Sequence, residues 1–266
     1  MPGMADPNIA TAAVRRSNQQ YYEQISHRET LDCGYAYNNA EYAHLPECNF
    51  LGEVSFRLAG PDAFETVEAF YREKGLTCAC WVPAADQPPE QVAELLTPHG
   101  FARRESIAML HDGSRLPAAT DESLRMIGAR AMRRAYTRIC TERFADYQSP
   151  TDELIAAQLE RLNDPQYDAF VAMLADEPAG TITVHQVGDI GRIRDIFVVP
   201  ALRRRGVGLA LVAFALATAA RWSLRTICTA ISVENTIGRT LLTRVGFVEG
   251  GTIVSFCRPY TGENPQ

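Results

Sequence analysis

The chain has 266 residues, of which 46% are hydrophobic and 22% charged, and its formal net charge is −6. This size and composition are typical of a globular protein with one large or two small domains. The acidic balance argues against a general binder of nucleic acid or of anionic membranes. No apolar run reaches membrane-spanning length without a charge, and residues 1–18 lack the apolar core of a signal peptide. The seven cysteines show no zinc spacing, so we expect a cytoplasmic protein with buried thiols and no metal.

The first half of the chain reads as alternating strands and helices that follow an unstructured start. Residues 1–17 contain proline, glycine and small side chains without periodicity, and we expect a disordered tail there. A first domain is predicted at 18–112. Its elements are a helix at 18–28, strands at 50–58, 77–82 and 101–110, and helices beginning at Pro61 and at Pro88.

A linker is predicted at 113–121, where small and polar residues show no period, and a second domain at 122–266. The second domain reads as a strand, two helices, three strands, a helix, a strand, a helix and a strand. Its predicted strands are 124–129, 168–175, 180–187, 189–199, 226–231 and 247–256. Its predicted helices are 130–144, 152–162 and 235–245, and residues 203–221 contain the arginine loop and the main helix. We therefore expect an α/β (α+β) fold, with a mixed central sheet flanked by helices.

The stretch 193–216 contains the clearest candidate for a ligand site. An apolar strand ends at Pro200, an arginine-rich loop with two glycines follows, and an apolar helix begins near Leu209. Free N–H groups at a helix N-terminus, with glycines that allow close approach, suit a phosphate or pyrophosphate. A dinucleotide fingerprint would need glycine where Leu211 stands, and the chain has no Gly-Lys-Ser/Thr for a Walker loop.

The spacing Val198-x-Pro200-x-x-Arg203-x-x-Gly206-x-Gly208 resembles the coenzyme-A pyrophosphate loop of the GCN5-related N-acetyltransferase (GNAT) superfamily. The element order from Leu124 to Arg258 is similar to that of the same superfamily. The resemblance implies an acetyl-CoA-dependent N-acetyltransferase that acts on the primary amine of a small molecule, as a monomer or homodimer. Two other functions stay open: a coenzyme-A-binding regulator without turnover, and a transferase of longer acyl groups. An arginine-rich helix start without a ligand is the structural alternative.

By this resemblance, the backbone of Phe197, Val198 and Val199 holds the pantetheine arm and the acetyl carbonyl in a slot, where strand 189–199 splays from strand 226–231. The implied pyrophosphate-binding residues are Arg203, Arg204, Arg205, Gly206, Val207, Gly208 and Leu209. Asn235 begins a second motif similar to one of the superfamily, and it either contacts the pantetheine arm or caps its helix. Arg239 either reaches a coenzyme phosphate or is simply exposed.

Asp195 is a carboxylate in an apolar strand, within a segment similar to the acidic strand of amine acetyltransferases. The resemblance implies that it binds the amine or accepts its proton, directly or through water. The alternative is a salt bridge with Arg192 or Arg194. Leu242 occupies the position of the tyrosine that often protonates the leaving thiolate. A leucine cannot do this, so water or a hydroxyl such as that of Ser232 would have to replace it.

The first half also echoes the second. Residues 95–101 (LLTPHGF) resemble residues 241–247 (LLTRVGF), and both predict a helix that ends at Gly-Phe before a strand. The first half has no counterpart of the arginine loop. It therefore resembles a degenerate half of a tandem acetyltransferase, with an unrelated α/β cap as the alternative.

Overall fold

A computed structural model of the chain describes residues 6–56, 62–113, 124–145 and 151–259. The predicted linker at 113–121 lies outside these residues except for Gly113, as does the predicted helix start at Pro61. The helices are α1 (Pro7–Glu23), α2 (Ala63–Glu73), α3 (Pro89–Leu96), α4 (Arg133–Phe144), α5 (Thr151–Arg161), α6 (Val207–Arg221) and α7 (Thr236–Arg244). The strands are β1 (His27–Leu31), β2 (Gly34–Asn38), β3 (Phe50–Val54), β4 (Cys80–Pro83), β5 (Ala102–His111), β6 (Leu124–Gly128), β7 (Tyr167–Leu174), β8 (Glu177–Val187), β9 (Ile190–Val198), β10 (Thr226–Ser232) and β11 (Phe247–Cys257).

The predicted mixed α/β architecture is confirmed, but the compact units do not follow the linear order of the chain. Each of the two units takes segments from both halves of the sequence, so a single boundary near residue 113 does not separate them. The first unit comprises Met1–Tyr21, Ser106–Asp146 and Gln158–Ile253, and the second comprises Tyr22–Glu105, Tyr147–Ala157 and Val254–Gln266.

In the first unit the strand order is β5-β10-β9-β8-β7-β6. Strands β9 and β10 are parallel, and the other neighbouring pairs are antiparallel. One face of this sheet buries the aliphatic residues of α6, among them Leu211 and Ala215, against Ile182 and Ile193. Helix α6 is almost entirely Ala, Leu and Val because it is buried over much of its circumference.

In the second unit the order is β1-β2-β3-β4 followed by the end of β11 from Val254 onward, and only β3 and β4 form a parallel pair among these described strands. Its core packs α2 and α3 around Trp81, which is fully buried, with Tyr71 and Phe64. The hairpin formed by β1 and β2 was not expected from the sequence. The residues of β1 before Leu31 are all exposed, so no alternation of apolar and polar residues marks this strand.

The predicted disorder of residues 1–17 is wrong for those that the structure describes, because α1 begins at Pro7 and continues through the helix expected at 18–28 as far as Glu23. The side chains of Ala10 and Val14 are fully buried. Small residues on this face allow close packing against a strand, since a Cβ atom added at Gly250 would lie 2.3 Å from that of Ala10. The small residues on this face therefore favour close packing. Residues 1–5 lie outside the described ranges.

The expectation of seven free thiols is also wrong, because Cys80 and Cys257 form a disulfide between β4 and β11. The other five cysteines are free and buried. A cytoplasmic location was expected from free thiols, and it stays a prediction. Among the described residues, the structure contains no helix with the length and apolar character needed to cross a membrane.

Candidate active site

Strands β9 and β10 open into a slot, as expected. Their register pairs run only from Thr226↔Ile190 to Cys228↔Arg192. Beyond this point the Thr229 hydroxyl donates a hydrogen bond to the Ile193 carbonyl (3.0 Å), and the described parts of the two strands show no further register pair. On its other edge β9 stays paired with β8 as far as Gly180↔Val198. The end of β9 therefore presents one backbone edge to the slot.

A β-bulge at Asp195 bends the strand that forms this edge. The register with β8 shifts between Thr181↔Phe197 and Thr183↔Arg194, which leaves one extra residue on β9. Asp195 has a left-handed backbone, with φ of 55°, a conformation that costs about 1–3 kcal/mol for a residue other than glycine. Beyond the bulge, Gly180 of β8 pairs with Val198, and an added Cβ at Gly180 would be 2.4 Å from the Phe197 carbonyl oxygen. The end of β9 thus requires glycine on β8.

The arginine loop leads into α6 through Gly206, which has φ of 79°. An added Cβ at Gly206 would meet nothing within 4 Å, so the space beside this residue is open. The first helical hydrogen bond runs from the Ala210 N–H to the Gly206 carbonyl (3.0 Å). The N–H groups of the first turn, Val207 to Leu209, therefore face out of the helix start, where they can bind an anion.

The three arginines of the loop do not share one role. All are exposed, but the Arg203 Nε donates a hydrogen bond to the Val198 carbonyl (3.1 Å). The Arg203 guanidinium also lies 5.8 Å from the centroid of the Phe197 ring. Arg203 therefore stabilises the end of β9, while Arg204 and Arg205 provide positive charge at the helix start. Phosphate binding by all three stays a prediction.

Asp195 is held by residues that the sequence did not suggest. Its Oδ1 accepts a hydrogen bond from Arg143 Nη2 of α4 (2.7 Å), and its Oδ2 accepts one from the Tyr167 hydroxyl of β7 (2.7 Å). The salt bridge considered for Asp195 exists, but its partner is Arg143 and not Arg192 or Arg194. The side chain of Asp195 is 7% exposed. Both carboxylate oxygens are thus engaged inside the protein.

The electrostatics follow from these contacts. Burial alone would raise the pKa of Asp195, but the charges of Arg143 and Arg194 and the Tyr167 hydrogen bond hold it well below its usual range. Burial, reinforced by the Asp195 charge, raises the pKa of Tyr167 well above its usual range. Asp195 is therefore an ionised carboxylate and a poor proton acceptor, which argues against the general-base role.

The face of the sheet around Asp195 is polar, in contrast to the aliphatic face under α6. The guanidinium groups of Arg161 and Arg194 lie 3.8 Å and 3.4 Å from the centroid of the Tyr21 ring of α1. His185 is fully buried, and burial, with the nearby Arg194 charge, lowers its pKa to about 4. Buried titratable groups of this kind concentrate at functional sites.

Asn235 caps α7, since its side chain accepts a hydrogen bond from the Gly238 N–H (2.9 Å). A Cβ added at Gly238 would lie 2.4 Å from Ile231 Cδ1, so a larger residue there would require the Ile231 side chain to move. Arg239 is not a free cation: its Nε and Nη2 both bind Glu249 Oε1, at 3.0 Å and 2.7 Å. Together Arg239 and Glu249 line an open groove of about 640 Å³ along α7. Coenzyme contacts by Asn235 and Arg239 stay predictions.

Leu242 is 1% exposed and belongs to the aliphatic core beside α6, so this position contributes packing alone. Sequence reasoning missed Arg143, Tyr167 and Gly180. The two partners of Asp195 lie 52 and 28 residues from it along the chain, and no local pattern links them. Among the described residues, no cluster of His, Cys, Asp or Glu is arranged to hold a metal ion.

Comparison with known proteins agrees with this geometry. The model of the Acetyltransferase (GNAT) family matches residues 129–247, a range that includes β9, the arginine loop and α7. A search of curated proteins finds no match.

Solved structures share the fold over most of the chain. A GCN5-related N-acetyltransferase from Kribbella flavida is 15% identical, with a TM-score of 0.67, covering 94% of this chain and 95% of that one. One from Sphaerobacter thermophilus is 16% identical, with a TM-score of 0.62, covering 99% and 97%. A tandem GNAT protein from the clavulanic acid biosynthesis pathway is 13% identical, with a TM-score of 0.54, covering 73% and 67%. At these identities the likeness concerns the fold alone.

Proposed function

We propose that this protein transfers an acetyl group from acetyl-CoA to the primary amine of a small molecule, because residues 129–247 match the model of the acetyltransferase (GNAT) family, whose fold binds acetyl-CoA. One observation carries the proposal: β9 and β10 separate after Arg192↔Cys228, and the open end of this slot leads to the Gly206 loop. A thioester arm and a pyrophosphate need these two features side by side.

The residues present fit such a ligand. The open space at Gly206 admits an anion to the N–H groups of Val207 to Leu209, and Arg204 and Arg205 supply charge beside it. The unpaired edge of β9 at Phe197 and Val198 offers backbone groups to an amide-rich arm. When bound, acetyl-CoA supplies an activated thioester carbonyl.

The chain's own contribution is mainly placement. It holds the two reactants together, which makes the attack of a deprotonated amine effectively unimolecular. Asp195 cannot readily take the amine proton, because both of its oxygens are bonded and its pKa is lowered. In this proposal the C–N bond forms as the C–S bond of the thioester breaks, the amine proton leaves through water, and water protonates the departing thiolate. Asp195 acts through its charge and through the bulge. Contact between Asp195 and the amine stays a prediction.

A second function is favoured by one observation. Leu242 is buried where the superfamily often has the tyrosine acid, which is compatible with a coenzyme-A-binding regulator that has no turnover. Transfer of a longer acyl group is a further variant of the same chemistry, and its length limit would be set by the slot.

The test is incubation of the full chain with acetyl-CoA and a panel of primary amines, following free thiol by absorbance and acetylated product by mass spectrometry. Each amine in the panel is tested beside an analogue that carries an added carboxylate. A parallel series uses propionyl-CoA in place of acetyl-CoA. Product from at least one amine supports the enzyme. Tight coenzyme binding without product from any amine would support the regulator instead.

A further inference from the structure

Three elements of the first unit converge on the bulge residue Asp195. Arg143 from α4 and Tyr167 from β7 each bind one carboxylate oxygen at 2.7 Å. The Thr181 hydroxyl from β8 donates to the Asp195 backbone carbonyl (3.2 Å). A residue in the left-handed region, with φ of 55°, is thus fixed through its side chain and its backbone.

We infer that Arg143 and Tyr167 are positioning residues of the coenzyme site, which fix the bulge at Asp195 and thereby the direction in which the backbone of residues 196–198 faces the slot. This inference rests on the proposed function. A side chain other than glycine does not favour the left-handed region without support. The two hydrogen bonds to the ionised carboxylate, one from α4 and one from β7, supply this support.

The arrangement differs from that expected of a group acting on the amine. Such a carboxylate would present at least one oxygen to the acceptor, whereas both oxygens of Asp195 are taken inside the protein. An ion pair that only stabilises the fold would respond differently to substitution. The loss of a purely stabilising pair would lower the free energy of unfolding but leave coenzyme affinity unchanged in the protein that remains folded.

The first experiment compares Asp195→Gly with Asp195→Ala in the full chain. Both variants lose the carboxylate, but glycine adopts the bulge conformation without steric cost and alanine does not. We expect the glycine variant to bind coenzyme A at least about fivefold more tightly than the alanine variant in calorimetric titration. Equal affinities, or tighter binding by the alanine variant, would overturn the inference.

The second experiment removes a partner. Arg143→Met keeps the length of the side chain and leaves the Asp195 charge uncompensated, so we expect coenzyme affinity to fall at least about tenfold. The double variant Arg143→Met/Asp195→Asn removes that charge and should recover part of the loss. Arg138→Met is the matched control on the same helix, because Arg138 is exposed and its contact with Glu142 is long, at 3.8 Å. Its affinity should equal that of the wild type.

If Arg143→Met does not fold, Tyr167→Phe still tests the inference, because the change from tyrosine to phenylalanine removes only a hydroxyl. We expect it to weaken coenzyme binding by about threefold and to raise the KM for acetyl-CoA more than it lowers kcat. If the wild type binds coenzyme A and every folded variant binds it with the same affinity, the positioning role of Arg143 and Tyr167 is overturned and the proposed function is not. A wild type that does not bind coenzyme A would overturn both this inference and the proposed function.

Discussion

Strands β9 and β3 each contain a bulge at an acidic residue, β9 in its pairing with β8 and β3 in its pairing with β4, but each strand continues differently beside its parallel neighbour. Asp195 in β9 has φ of 55° and Glu53 in β3 has φ of 49°. After its bulge β3 pairs with β4 again at Val54↔Pro83, and the Ala84 N–H donates to the Val54 carbonyl (2.8 Å). In the described residues β9 and β10 have no such second pairing. A bulge alone therefore does not make a slot, because the partner strand must also depart.

The pairing of the last strand in each half supports an internal duplication. Helix α3 and helix α7 are each followed by a left-handed glycine, Gly100 or Gly246, with φ of 80° and 94°. Strand β5, which follows Gly100, pairs with β10, and strand β11, which follows Gly246, pairs with β4. The echo between residues 95–101 and 241–247 thus marks equivalent elements. That the first half is a degenerate acetyltransferase half stays a prediction.

The largest expected difference between the two bulges concerns how the free energy of unfolding changes with pH. The polar face of the sheet near Asp195 contains His185, whose pKa is lowered to about 4. The unfolded chain takes up this proton near pH 6.5, so between about pH 6.5 and 4 the unfolded state binds more protons and stability falls as the pH falls. The full loss is on the order of 3 kcal/mol. His185→Gln should flatten urea-unfolding free energies across this window, whereas His99→Gln, at an exposed site in the first half, should leave the slope intact.

Gly206→Glu should weaken acetyl-CoA binding at least about tenfold, or roughly 1.4 kcal/mol. A carboxylate would occupy the open space beside the helix start and repel the pyrophosphate. Gly100→Glu is the matched control, since Gly100 is also left-handed and also open around its Cβ. Both variants carry the same backbone strain. An equal effect of the two on affinity would show that the loop is not the binding site.

Gly180→Ala should weaken coenzyme binding about fivefold, or roughly 1 kcal/mol. The new Cβ would lie 2.4 Å from the Phe197 carbonyl oxygen, so β9 must shift at the edge of the slot. Gly128→Ala in β6 provides the comparison, because nothing lies within 4 Å of its added Cβ. A titration in which Gly180→Ala binds like the wild type would mean that the position of β9 at Phe197 and Val198 does not matter for the coenzyme.

The smallest effect is expected at Leu242. Leu242→Ala should change kcat less than about threefold once any loss of stability is corrected for, since a buried leucine contributes packing and no proton. The profile of kcat/KM against pH should rise as the amine deprotonates and then stay flat to about pH 9.5. An alkaline decline that disappears on substitution of one tyrosine would identify a side-chain acid in place of water.

The sequence was sufficient for the parts of the site that are local. The loop from Val198 to Gly208 and the cap at Asn235 are contiguous motifs whose spacing determines their conformation. The opening between β9 and β10 came from resemblance and is confirmed by the register. The contacts at Asp195 could not be predicted, because Arg143 and Tyr167 belong to other elements of the fold. The helix α1 was missed for a different reason: its buried face, at Ala10, Ala13, Val14, Ser17 and Tyr21, has helical spacing, but most of these residues are too small to give a strong hydrophobic signal.

The most direct measurement is the stoichiometry of coenzyme binding. A calorimetric titration of the full chain with acetyl-CoA should give one site per chain, since β9–β10 opens and β3–β4 stays paired. The same titration of Gly206→Glu should show that this single site is weakened, with no second site behind it. Two sites per chain, or one site that Gly206→Glu leaves unchanged, would contradict the assignment of the coenzyme to the slot between β9 and β10.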